Sequence, residues 1–341
     1  MNHVAIDLGG RESQVCIRSP RGEIIEEKRV ATRRLESLMK ALPPSRLILE
    51  TSAEAFRIAD EALSAGHEVR VVPATLVKTL GVGARGIKTD RRDAQVLSEV
   101  SCRIDLPSVH IPSPFSRELK SLCGAREMLV ETRTKLINNV RGWMRTQLLR
   151  IRSGSSATFA PRLREHAEKT GQTLPLHVER QLKVIEVVVA HVKEADRQLQ
   201  RLACEHPICR RLMTVPGVGP VTAVWFLAAL DQVARFPSAH RVQSYLGLTP
   251  GENSSSDRQQ RTGITKAGST QMRRMLIQAA WTALRYAPNQ PMVAWATQVA
   301  ARRGKWIAVV ALARKMAGIL FALWRDGTTY RPSVAAQPSL T

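Results

Sequence analysis

Residues 1–10 read MNHVAIDLGG. Val4, Ala5 and Ile6 form a short apolar run that ends in Asp7 and then in Gly9-Gly10. That is the pattern of a buried strand closed by a turn. Working outward, residues 14–18 and 23–30 read as two further strands, joined by the turn Ser19-Pro20-Arg21-Gly22. A helix is expected near residues 35–42, a buried strand over 46–50 (RLILE), a helix over 53–65 and a β-branched strand over 68–72. Residues 90–100 have helical spacing, with apolar Ala94, Val96 and Leu97.

Three strands, then helix, strand, helix, strand and helix, is the order of an RNase H-like α/β domain. A Pro-marked joint follows at residues 106–114, and 115–151 then read as one long helix. A second long helix is expected over 178–202, with Val178, Leu182, Ile185 and Val189 at steps of four, three and four. The spacing suits a coiled-coil seam or an ordinary bundle helix equally. Residues 152–175 are polar and are expected to form a loop. Further helices are expected over 221–230, 240–246, 266–286 and 306–325. The expected organisation is an α/β domain over 1–108, a helical or coiled-coil spacer over 109–205, a mainly helical domain over 206–328 and a frayed tail over 329–341.

Charge separates these parts. The 341 residues carry a formal net charge of +22. Residues 1–110 hold 17 basic and 15 acidic side chains, and the rest of the chain holds 34 and 14. The basic excess therefore lies beyond the α/β domain and points to a polyanionic partner, nucleic acid above all. No run of about 18 uncharged apolar residues occurs, so no membrane span is expected. Five scattered cysteines fit a reducing cytoplasm. Cys204, His206 and Cys209 are close in sequence, but no second pair completes a zinc site.

Four carboxylates carry the chemistry. Asp7 and Glu50 each end a strand, while Asp90 and Asp93 share one face of a helix start. Each has a plain alternative as a turn residue, a solvent-facing strand end or a helix-capping acid. Together, in a domain of this order, they suit divalent cations bound by oxygen for phosphoryl transfer, magnesium or manganese rather than zinc. AIDLGG also resembles the first phosphate loop of sugar-kinase and actin-like ATPases. The only other glycine cluster, Gly81 to Gly86, is poorly placed for their second loop.

Pro216-Gly217-Val218-Gly219 has the form of a helix-hairpin-helix turn, in which Gly217 and Gly219 would let backbone approach a phosphate. A plain tight turn is the alternative. Downstream, Ser254, Ser255 and Ser256 precede Arg258, Arg261, Lys266, Arg273 and Arg274. On composition this is a basic loop feeding a basic helix, and its cations are candidates for phosphate contacts.

These pieces together resemble one family, the DEDD-type transposases of the insertion-sequence-110 group. The resemblance rests on AIDLGG, ILETSA, KTDRRDAQVL, TVPGVGPVTA and the GLTP…SSS…RTGITKAGS…RR region, and spans nearly the whole chain. It implies a RuvC-type domain whose tetrad falls on Asp7, Glu50, Asp90 and Asp93. It also implies a coiled-coil spacer, magnesium, assembly as dimers or tetramers, and a structured guide (bridge) RNA that specifies the DNA. A serine nucleophile is implied five residues after the proline of the GL-x-P motif, which is Ser255. The family has glycine next, where this chain has Ser256, so Ser254 and Ser256 stand as alternatives. The implied reaction is metal-dependent DNA strand exchange. The alternatives are a RuvC-like nuclease without a covalent step and a non-enzymatic nucleic-acid-binding protein.

Overall fold

The computed structural model describes residues 1–77, 89–253 and 261–332. The chain forms two compact units, Met1–Pro112 and Ser113–Thr341.

The first unit is mixed α/β. Strands β1 (Asn2–Asp7), β2 (Glu12–Arg18), β3 (Ile24–Ala31), β4 (Ser45–Glu50) and β5 (Glu68–Val72) form one sheet in the order β3-β2-β1-β4-β5. The first three pair antiparallel, and β1-β4 and β4-β5 pair parallel. Alternation along the strands feeds two apolar layers. Val4, Ile6, Leu47 and Leu49 pack with helices α1 (Leu35–Ala41) and α2 (Ala55–Ser64) on one face. Ala5, Ile48 and Val72 pack on the other, with Val77 of α3 (Ala74–Val77) and Leu97 of α4 (Asp90–Arg103). The expected strand and helix order is observed with one addition, the short helix α3 between β5 and α4. The Gly81 to Gly86 cluster lies outside the described residues.

The second unit is mainly helical. Its centre is α9 (Pro220–Leu230), PVTAVWFLAAL, buried from Thr222 to Leu230 because it is apolar on every side. The N-terminal half of α5 (Pro114–Thr146) and the C-terminal half of α7 (Leu176–Glu205) join this core through Leu119, Cys123, Leu199 and Ala203. So do α8 (Pro207–Leu212), α10 (Ala239–Tyr245), α11 (Thr270–Tyr286), α12 (Pro291–Arg303) and α13 (Lys305–Asp326). α13 is 22 residues long and apolar enough by length and composition to cross a membrane, but half of its apolar window is buried within the unit. The remaining halves of α5 and α7 close a separate small core with α6 (Phe159–Lys169).

Residues 152–175 are thus not all loop. Phe159, Ala160, Leu163 and Ala167 make one buried stripe at helical spacing, short enough to be lost among the flanking polar residues. The helix expected from residue 266 starts later, at Thr270. Lys266 and Gly268 adopt left-handed φ of 56° and 68°, which breaks helical continuity. Ser269 then caps α11 by accepting from Met272 N at 3.2 Å. Residues before it form a hairpin, β6 (Pro250–Glu252) and β7 (Arg261–Ile264). Of the expected tail, Tyr330 N donates to Thr214 Oγ1 at 2.8 Å, and residues 333–341 lie outside the described residues.

Candidate active site

The parallel ladder pairs Asn2 with Ser45 and continues in step to Ile6 with Leu49. The next residues, Asp7 and Glu50, end the two strands at one level. Neighbouring strands lie about 4.8 Å apart. Both acids sit in register with Ala5 and Ile48 and so belong to the face that α4 covers. Both are half-buried. Gly9 closes the turn behind Asp7, and a Cβ there would lie 2.2 Å from the Glu12 carbonyl oxygen, so only glycine fits the approach of β2.

α4 runs back along β1. His3 Nδ1 lies 2.8 Å from Ser101 Oγ, and Ala5 shares an apolar cluster with Leu97. Four helical residues rise about 6.0 Å and two strand residues about 6.6 Å, so each helical step of four matches a strand step of two. One further step sets Asp93 against Asp7. Asp93 is 2% exposed, whereas Asp90 begins the helix and is exposed. Thr89 caps the helix, accepting from Arg92 N at 3.3 Å, and both aspartates in the first turn complement the helix dipole.

Glu27 of β3 fixes that helix start from the side. It accepts from Arg91 Nε at 3.0 Å and from the Gln95 amide. Burial pushes its carboxyl up, but the bonds from Gln95 and Arg91 outweigh this and hold it below the usual range. Glu27 and His3 were not visible as functional candidates in the sequence, because their partners lie 64 and 98 residues away.

The donors are hard oxygens, two at strand ends and two in the first turn of α4, the kind that suits a divalent cation such as magnesium or manganese. Among the described residues, no three acidic, histidine or cysteine side chains are arranged to hold one ion as they stand. The set fits such an ion in chemistry, and Asp7 and Glu50 share one level of the sheet.

In the second unit, the expected phosphate contacts divide. Gly217 has φ 87°, and a Cβ on it would lie 2.3 Å from the Ala279 carbonyl oxygen of α11. Close helix packing thus accounts for this glycine. Gly219 caps α9 and has open space around its Cβ position. Arg273 is buried and donates to the carbonyls of Leu246, at 3.2 Å, and of Ala267. Its charge is turned inward because the turns at residues 246 and 267 leave carbonyls that the helices do not satisfy. Arg274 bridges to Glu127 at 2.6 Å and Glu131 at 3.2 Å on α5. Lys266 is exposed. Arg261 opens β7. Ser254, Ser255, Ser256 and Arg258 lie outside the described residues. Cys209 is buried, its thiol pushed up to about 12 by desolvation, while Cys204 is exposed.

Comparison with known proteins gives two family matches. Residues 4–147 match a family described as transposase, and residues 209–293 match the IS116/IS110/IS902 transposase family. A "probable family 20 transposase" of Pseudomonas aeruginosa is 28% identical, covering 97% of this chain and 99% of its own length. The transposase for insertion sequence element IS1111A of Coxiella burnetii is 26% identical over 96% of this chain and 91% of its own length. A transposase candidate of Sinorhizobium fredii, y4qE, is 30% identical over 77% of this chain and 71% of its own length.

Proposed function

Because the chain belongs to the IS116/IS110/IS902 family of DEDD transposases, we propose that it cuts and rejoins DNA strands to move an insertion sequence. The observation that carries this reading is the placement of Asp7 and Glu50 at one level of the sheet, under the face of α4 that holds Asp93. The strand order β3-β2-β1-β4-β5, antiparallel then parallel, supports an RNase H-like, RuvC-type assignment for this unit.

In this reading Asp7, Glu50, Asp90 and Asp93 hold magnesium, or manganese in its place. Bound divalent ions would offset the charge that develops on a phosphate under in-line attack. The chain's own part is to keep Asp7 and Glu50 on fixed strand ends and to hold α4 in register through His3 and Glu27. The nucleophile is a serine hydroxyl, Ser255 by position, with Ser254 and Ser256 as neighbours. Its oxygen forms a bond to phosphorus as a deoxyribose oxygen leaves with a proton. The bond energy is kept in a phosphoserine ester, and a second DNA hydroxyl reverses the step. Arg258, Arg261 and Lys266 are close enough in sequence to steady that phosphate. A guide RNA and a homo-oligomer complete the reading, on family grounds.

The test is to trap a denaturant-stable protein–DNA adduct on a nicked substrate and map the modified peptide. Ser255→Ala should abolish the adduct and recombination while expression and nucleic-acid binding persist. Strand cleavage by the triple alanine variant at residues 254–256 at the normal rate would favour water as nucleophile, as in a nuclease.

A further inference from the structure

Lys305 and Trp306 open α13, directly after Arg302, Arg303 and Gly304. Trp306 is 77% exposed, and Ile307 beside it is 55% exposed. Trp281 of α11 meets it edge to face, with ring centroids 5.4 Å apart at 82°. Lys305 Nζ lies 5.0 Å from the Trp281 ring. Trp306 is therefore anchored at one edge while most of its surface meets solvent.

Trp306 also lines a groove of about 860 Å³ between α13 and the β6–β7 hairpin. Trp295 and Val310 form part of one wall, and Pro250 and Ile264 part of the other. Lys315 Nζ sits 4.4 Å above the Trp295 ring. An apolar slot of this size, rimmed by cations, takes a flat ligand with a charged edge.

Charge decides the occupant. From Arg258 through Arg325 the sequence has twelve Lys and Arg and no Asp or Glu. A duplex would satisfy those cations but keeps its base faces stacked away from an indole. An unpaired strand offers both phosphates and free ring faces. We propose that Trp306 and its groove form a stacking site for an unpaired nucleotide in a single-stranded stretch of nucleic acid, with Arg302, Arg303 and Lys305 holding the adjoining phosphates. The inference rests on the DNA-acting reading above, but on neither the carboxylates nor the serine.

The test uses the full chain, a chelator, a labelled single-stranded oligonucleotide and the duplex of the same sequence. Trp306→Ala should weaken single-strand binding about tenfold or more and leave duplex binding unchanged. Trp306→Phe, which keeps a ring, should retain most of the affinity. Circular dichroism checks that the variants fold, as so exposed a side chain leads one to expect. Wild-type affinity of Trp306→Ala for the single strand overturns the proposal, as does an equal loss on both probes. Sedimentation reads the third outcome: if Trp306→Ala dissociates an oligomer with single-strand affinity intact, the face joins copies of this chain and the proposal falls. The tetrad is read by strand cleavage in magnesium and this assay runs with ions chelated, so failure of the tetrad and failure of the stacking site give different results. Wild-type protein that binds neither probe would overturn both.

Discussion

Ser101 Oγ on α4 lies 2.8 Å from His3 Nδ1 at the start of β1, the strand whose far end carries Asp7. Burial, then the charge of Arg46, holds the His3 imidazole below its ordinary 6.5. As pH falls, the unfolded chain takes up this proton first. The stabilisation is therefore whole above about 6.5 and is lost progressively below that value. His3→Gln should flatten the acid side of the N-terminal unit's profile of Tm against pH. An unchanged acid limb would remove His3 as its source.

The carboxylates predict a separation of chemistry from folding. Asp7→Asn and Asp90→Asn should each reduce strand cleavage by about a hundredfold or more in magnesium. Fold and nucleic-acid binding should persist. Without metal, Tm should hold or rise, because one of several like charges is gone. Wild-type cleavage rates in both variants would end the tetrad assignment.

Gly217 offers a test of packing in the second unit. Alanine there would place its Cβ 2.3 Å from the Ala279 carbonyl oxygen, at a φ of 87°. A loss of about 2 kcal/mol or more is expected, read from the denaturant midpoint. A neutral result would show that α11 can retreat from the turn.

Arg273 and Arg274 are adjacent but should behave differently. Arg273→Met strands the carbonyls of Leu246 and Ala267, so stability should fall by about 2 kcal/mol. Arg274→Met breaks a partly exposed pair with Glu127 and Glu131. Glu127 is itself buried, which places the cost above that of a surface pair, at about 1 kcal/mol. Thermal melts of the two variants decide the order.

The basic excess predicts where polyanions bind. A fragment of residues 113–341, the second compact unit, should keep most nucleic-acid affinity, with a steep inverse dependence on salt. Equal affinity in residues 1–112 alone would move the surface.

The first unit was legible in the sequence because its strands are buried and its turns are marked by Gly and Pro. Asp7 and Glu50 could be found since each ends such a strand. Their common level could not, because β1 and β4 are paired through a crossover that sequence spacing does not encode. The second unit was read less well. α12 begins at Pro291 after a polar turn and buries only Met292, Val293 and Ala296, a weak periodic signal. Arg273 looked like a surface cation because composition does not show which carbonyls lack partners.

The lockstep of β1 with β4 sets the kind of sequence change this protein can absorb. Side chains alternate between faces along a strand, so removal of one residue from the middle of β4 would swing Glu50 to the side of α1 and α2 and bring an apolar neighbour into its place. Point substitutions in β4 alter packing by degrees, but a one-codon deletion would reverse the strand's inner and outer faces at a stroke. Families built on such a ladder should vary by length in their helical hairpins, around α6 for example, and hold the residue count of their first and fourth strands fixed.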